Sequence, residues 1–166
     1  MKKFAIATAI ALAATAASAV EVGVTATRDY SKSADVDCGF VVGPSSCPGQ
    51  NRNAAGITLG QSFGKVGVTA GFERFTRGTN DQDRYSLVAG YDVAKLGPVT
   101  VTPKVGVAYL NNQTGEDGYA MTVGVGASVP VTKQVSLTAD VARQYGQDRV
   151  QAFDGNRVTV GVKYKF

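Results

Sequence analysis

Nine charged residues fall where a strand-like alternation would set them on one face: Glu21, Glu73, Asp92 and Asp140, with Arg84, Lys104, Arg157, Lys163 and Lys165. Paired carboxylates can act as general acid and base, whereas carboxylates beside lysine or arginine neutralise one another. The chain contains no histidine, which removes the commonest general base and the commonest metal ligand. Ser/His/Asp and Cys/His nucleophile systems are therefore impossible, and no catalytic residue, cofactor or metal is expected. Cys38 and Cys47 lie in a Gly/Pro/Ser-rich stretch. Without histidine they make a poor metal site, and in an exported chain they read as a disulfide clipping one loop. The "GVG" at Gly124–Gly126 precedes no helix, so it is no phosphate loop. The "NQT" at Asn112 matches a glycosylation sequon, a weak three-residue signal.

The elements that must carry these charges have period 2, and helical spacing is nowhere sustained. Eight segments are expected: Val20–Tyr30, Ala55–Gly64, Val66–Arg77, Arg84–Val93, Val99–Leu110, Tyr119–Val131, Val135–Tyr145 and Asn156–Phe166. Each is long for a strand in a water-soluble sheet but suits a tilted strand crossing a bilayer. The connections alternate between long polar loops and short turns such as Gly64–Lys65, "AKLGP" and "TKQ". That asymmetry belongs to outer-membrane barrels, with short turns on the periplasmic side and longer loops outside. The expected fold is an all-β, eight-stranded, antiparallel up-and-down transmembrane barrel.

Soluble ligand-binding barrels also alternate, so residue types must decide which face meets what. One face is rich in Val and Leu, as in Val20, Val22, Val24, Ile57, Leu59, Leu87, Val105, Val107 and Val158. The other is mostly small: Gly23, Thr25, Thr58, Gly60, Gly71, Gly90, Gly106, Gly124, Gly126 and Gly161. A small, sparsely charged face is a poor soluble surface, because such surfaces carry many charges to limit association. It fits the narrow lumen of an eight-stranded barrel, leaving the branched residues to face lipid. Aromatics sort by strand end: Phe72, Tyr85, Tyr109 and Tyr119 toward the outer side, Phe63, Tyr91, Tyr164 and Phe166 toward the inner. Two such belts mark the two membrane interfaces.

On this parity the charges point into the lumen as an electrostatic plug. Counting residues from the periplasmic strand ends sets Glu21 beside Lys163 or Lys165. It also sets Lys104, Asp140 and Glu73 near one mid-barrel level.

The start, "MKKFAIATAIALAATAASA", has two lysines, an apolar run and an A-x-A site. It reads as a secretory signal cleaved after Ala19, leaving residues 20–166 as the barrel. Of the 17 basic residues, Lys2 and Lys3 leave with it, and the remainder nearly balance the 13 acidic ones. The basic residues are scattered without aromatic interleaving, so no nucleic-acid partner is expected.

The signal, the amphipathic strands, the loop asymmetry and the terminal aromatic together resemble the small outer-membrane barrels of Gram-negative bacteria, of the OmpX type or the OmpA membrane domain. The end of the chain matches that family's assembly pattern at Thr159, Gly161, Tyr164 and Phe166. The resemblance implies periplasmic chaperones, the barrel-insertion machinery, and outer-membrane lipid and lipopolysaccharide as partners. It further implies roles in membrane integrity or in adhesion to host or phage surface molecules through the loops. The first loop, longest and holding both cysteines, is the leading contact. Enzymes of this size in the same membrane depend on histidine, so the likeness implies the non-enzymatic branch. A narrow channel for small solutes or ions is the second reading, and a soluble lipocalin-like binder the third. Replacing Phe166 with serine should lower outer-membrane yield more than it destabilises the finished barrel. Normal yield of the variant in membrane fractions would contradict that reading.

Overall fold

The structure is a computed structural model, and the residues described in it are 19–31, 51–75, 82–112, 117–146 and 154–166. The expected signal segment through residue 18, Cys38, Cys47 and most of the first loop lie outside them. The described chain forms strands β1 (Val20–Ser31), β2 (Asn51–Phe63), β3 (Val66–Phe75), β4 (Gln82–Tyr91), β5 (Ala94–Leu96), β6 (Val99–Asn112), β7 (Gly118–Pro130), β8 (Val135–Gly146) and β9 (Gly155–Lys165). All neighbours pair antiparallel. The ladder runs β4-β3-β2-β1-β9-β8-β7-β6-β5, and β4 also pairs with β6. With β4 and β5 forming one stave, the sheet is a closed eight-stranded barrel.

Closure between first and last strands extends from Glu21 opposite Lys165 to Ser31 opposite Gly155. The final residues are held on both sides. Phe166 N–H donates to the Val20 carbonyl at 3.0 Å, and Lys165 N–H donates to the Gln134 carbonyl at 2.8 Å. The tight turns follow from local chemistry. Gly64 and Gly97 take φ of 65° and 62°, a left-handed backbone that side chains disfavour. At the β7–β8 turn the Thr132 hydroxyl accepts from the Gln134 and Val135 N–H groups at 3.2 and 2.9 Å, an arrangement typical of threonine in turns.

The β4–β5 stave contains a bulge. Tyr91, Asp92 and Val93 stand opposite only Thr102 and Pro103, because pairing passes from Gly90–Lys104 directly to Ala94–Val101. Pro103 has no N–H to give the neighbouring strand, so the ladder must yield at this point. The extra residue restores alternation beyond it: Lys95 lies opposite Thr100, and the exposed Leu96 opposite Val99.

The apolar residues are outside. Ile57 is 59% exposed, Val141 61% and Val160 52%, whereas among the described residues the buried apolar side chains are Ala54, Phe75, Ala108, Leu110 and Ala120. An exterior of this kind is stable in hydrocarbon, where a closed sheet leaves no backbone group unsatisfied. Aromatics on β3, β4, β6 and β7 form a row toward the loop end. Tyr85 lies opposite Tyr109 across β4–β6, and ring centroids are 5.2 Å apart for Phe72–Tyr85 and 5.3 Å for Tyr109–Tyr119. At the opposite end Tyr164 and Phe166 meet edge to face at 4.9 Å.

The strands extend beyond the sequence-based expectation at the loop end. Asn51–Ala54 belong to β2, Gln82 and Asp83 to β4, and Asn111 and Asn112 to β6. These polar residues read as loop in the sequence. Past the bilayer surface, however, a ladder can continue in water with polar side chains, so polarity there marks the membrane boundary rather than the strand end. Val160 is the central residue of β9 and faces outward, and Val160→Arg should cost about 2–4 kcal/mol if that level is the bilayer middle. Denaturant unfolding of vesicle-inserted protein measures this, and an unchanged stability would argue against lipid contact at that position.

Candidate functional site

Inside the barrel the charged side chains separate into groups at different heights. The largest is built on Glu73 of β3, which is buried. Arg84 of β4 donates from Nη1 to Glu73 Oε2 at 3.0 Å and from Nη2 to the Thr122 hydroxyl of β7 at 3.1 Å. Arg157 of β9 donates to both Glu73 oxygens. The Thr27 hydroxyl of β1 donates to Glu73 Oε1 at 2.7 Å and lies 3.0 Å from the Thr159 hydroxyl. Asp29 of β1 adds a second buried carboxylate, 3.5 Å from Arg157 Nη1. Two carboxylates thus face two guanidiniums, and Arg52 of β2 stands opposite Asp29 in the ladder. A buried charge without a partner costs several kcal/mol, which is why the four occur together.

Glycine makes the crossing possible. A Cβ on Gly56 of β2 would come within 2.5 Å of Glu73 Cγ, so its absence lets the glutamate lie over β2 and reach β1. Above this network, toward the loop end, Phe75, Leu110 and Gln144 are the most fully buried large side chains. They cap the charges with a largely apolar layer.

Toward the turn end, Lys104 of β6 pairs with Asp140 of β8 across β7. A Cβ on Gly126 would stand 2.7 Å from the lysine Nζ, so this glycine also makes room for a pair. Near the rim, Lys163 meets Glu21 at 3.4 Å, and Asp92 accepts from the Thr102 hydroxyl at 2.6 Å. Below the Glu73 network lies a cavity of about 230 Å³, lined by these groups and by small residues, and reaching the Gly64–Lys65 turn. The lumen is filled at the loop end and open toward the turns.

One expectation about the charges needs correction, and one left open between two lysines is settled. Glu73 does not join Lys104 and Asp140; it binds Arg84, Arg157 and Thr27 instead. Counting from strand ends treats the strands as upright, whereas tilt staggers equal counts to different heights. Lys165, although opposite Glu21 in the ladder, is exposed at the rim, and Lys163 supplies the contact. Asp29 was not singled out from the sequence, although the parity of Glu21, Gly23, Thr25 and Thr27 carries directly to it. Phe75 was missed similarly: an apolar residue on the Glu73 face breaks the rule that the inside is small or charged. Among the assembly residues, Thr159 and Gly161 face the lumen with Arg157 and Lys163, while Tyr164 and Phe166 lie outside.

No protein-family model matches this sequence, and no curated protein sequence matches it. Solved structures do. Neisserial surface protein A aligns with a TM-score of 0.58 at 18% identity, over 89% of this chain and 99% of that one. The outer membrane protein OprG from Pseudomonas aeruginosa aligns with a TM-score of 0.50 at 10% identity, over 90% and 96% of the two chains. What is shared at such identities is the fold, that of the small outer-membrane barrels.

Glu73→Gln should destabilise the barrel by about 3–5 kcal/mol, because it strips two buried guanidiniums of their shared anion. Arg74→Gln, which removes an exposed pair with Asp83, should cost at most about 1 kcal/mol. Equilibrium unfolding of the two refolded variants compares them, and equal losses would mean that the lumen network does not hold the strands together.

Proposed function

We propose that this chain is a small, non-enzymatic outer-membrane protein that serves as a closed anchor, contributing to membrane integrity and holding its longer connections outward for surface interaction. The single observation that supports this reading is the filled outer half of the lumen. Glu73, Arg84, Arg157 and Asp29, drawn from four strands, are tied across the barrel beneath Phe75 and Leu110. Moving an ion past them would require separating buried, mutually neutralised charges, a cost of several kcal/mol at each step. Such a barrel contributes an insulating wall and a rigid frame, and rigid scaffolds commonly carry their binding function on loops. Insertion by the outer-membrane assembly machinery, guided by Tyr164 and Phe166, belongs to the same reading, as does a lipopolysaccharide-facing exterior.

A narrow channel is the second reading. The cavity of about 230 Å³ that reaches the turn end, with Lys104, Asp140, Glu21 and Lys163 along it, favours it. A channel would need the Glu73 network to open. Planar-bilayer recording on the refolded barrel decides between the two. The anchor reading expects no steady conductance from the native chain and measurable current from the Glu73→Gln/Arg157→Gln double variant. Large, steady conductance from the native chain would overturn it in favour of the channel.

A further inference from the structure

The outward arginines near the loop end are not equivalent. On the β3–β4 side, Arg74 is neutralised by Asp83 through two hydrogen bonds of 2.9 and 3.2 Å. On the opposite side, Arg28 of β1 and Arg143 of β8 meet no carboxylate among the described residues. Arg28 lies 5.4 Å from the Tyr30 ring centroid and Arg143 5.6 Å from that of Tyr145. The other contact of Arg143 is neutral, with Nη1 donating to Asn156 Oδ1 of β9 at 3.3 Å.

The ladder brings the two arginines to one patch. Tyr30 and Arg143 are both opposite Asn156, while Arg28 and Val141 are both opposite Val158. Only β9 separates the two arginine-bearing strands. Strand spacing and rise put the two Cα atoms roughly 12 Å apart, within converging reach of two long side chains. Each guanidinium lies over an aromatic ring and meets no carboxylate among the described residues, so N–H donors remain for phosphate oxygens, which arginine suits. Directly below, Val158, Val160 and Val141 form bare apolar wall. A ligand seated here would have its charge on the arginines and its acyl chains along valine.

We infer that the β8–β9–β1 face carries a single site for the phosphorylated headgroup of a membrane lipid in the loop-side leaflet, held by Arg28 and Arg143. A soluble anion would gain nothing from the wall beneath, and an acidic protein segment would have to enter the interface to reach it. The site rests on the membrane-spanning reading above, but not on whether the lumen conducts.

The test uses the mature chain refolded in dodecyl maltoside, with retained lipid counted by native mass spectrometry. The probes are an acylated glucosamine disaccharide bearing two phosphates and the same lipid with both phosphates removed. One phosphorylated lipid per barrel is expected, with the dephosphorylated form retained about tenfold less, as losing charge-assisted hydrogen bonds implies. Arg28→Gln/Arg143→Gln should lower retention of the phosphorylated lipid by about tenfold or more, and Arg74→Gln should leave it unchanged. Heat-modifiable gel migration checks that each variant is folded; Arg28 is exposed and Arg143 half-buried. Equal retention of the two lipids, an unaffected double variant, or displacement by inorganic phosphate or an acidic peptide as effective as by lipid would overturn the site. Failure of the native chain to retain the phosphorylated lipid, although its barrel floats with vesicles, refutes this site alone, whereas a native barrel that fails to float refutes the membrane reading itself.

Discussion

Hydrocarbon offers a backbone no hydrogen-bond partners, and everything else in this molecule follows from that. A sheet in such a medium must have no edge, so the first and last strands have to meet. They meet along their full length, from Glu21–Lys165 to Ser31–Gly155, and the terminal residues are bonded on both flanks. Closure in turn fixes a narrow interior. With side chains alternating at every residue, half of each strand must be small enough to share that interior, and the other half must tolerate lipid. The glycines, threonines and valines are distributed by this geometric rule.

The rule made most of the fold legible in the sequence. Alternation located eight staves, and loop lengths gave their direction. What alternation cannot convey is height. Lys104 and Asp140 pair as their position suggests, but Glu73 goes elsewhere, because tilt displaces strands relative to one another by an amount that no single strand reveals. Polar residues such as Asn51–Asn53 and Gln82 misled for a different reason. Polarity ends where the membrane ends, while the ladder continues. The candidate site was thus readable as a list of inward charges, yet its grouping depended on the register between strands.

The two ends of the lumen are held by different means. At the loop end, charges from β1, β3, β4 and β9 lock across the barrel under an apolar cap. At the turn end the walls are lined with small residues, and two further ion pairs stand beside open space. Deep charge pairs give little net stability when compared with apolar packing, but they tolerate no wrong partner. Their contribution here is to select one arrangement of strands: a register error in β3 or β9 would strand a carboxylate or a guanidinium inside the wall. The small residues at Gly56 and Gly126 are part of the same selection, since each leaves the space that a specific pair occupies.

The bulge at Tyr91–Val93 also bears on how such a wall can vary in length. A strand has a reading frame of two, and adding one residue shifts everything downstream onto the wrong side. Here the added residue falls opposite Pro103, where the ladder is already interrupted, and only Ala94–Leu96 remain before the turn. The frame of the long membrane-crossing portion is untouched, and in the short remainder Leu96 again stands opposite Val99. Odd-numbered changes of length are therefore tolerated at the rims of this barrel and nowhere between them. Its outline can drift at the ends while the middle stays fixed by parity.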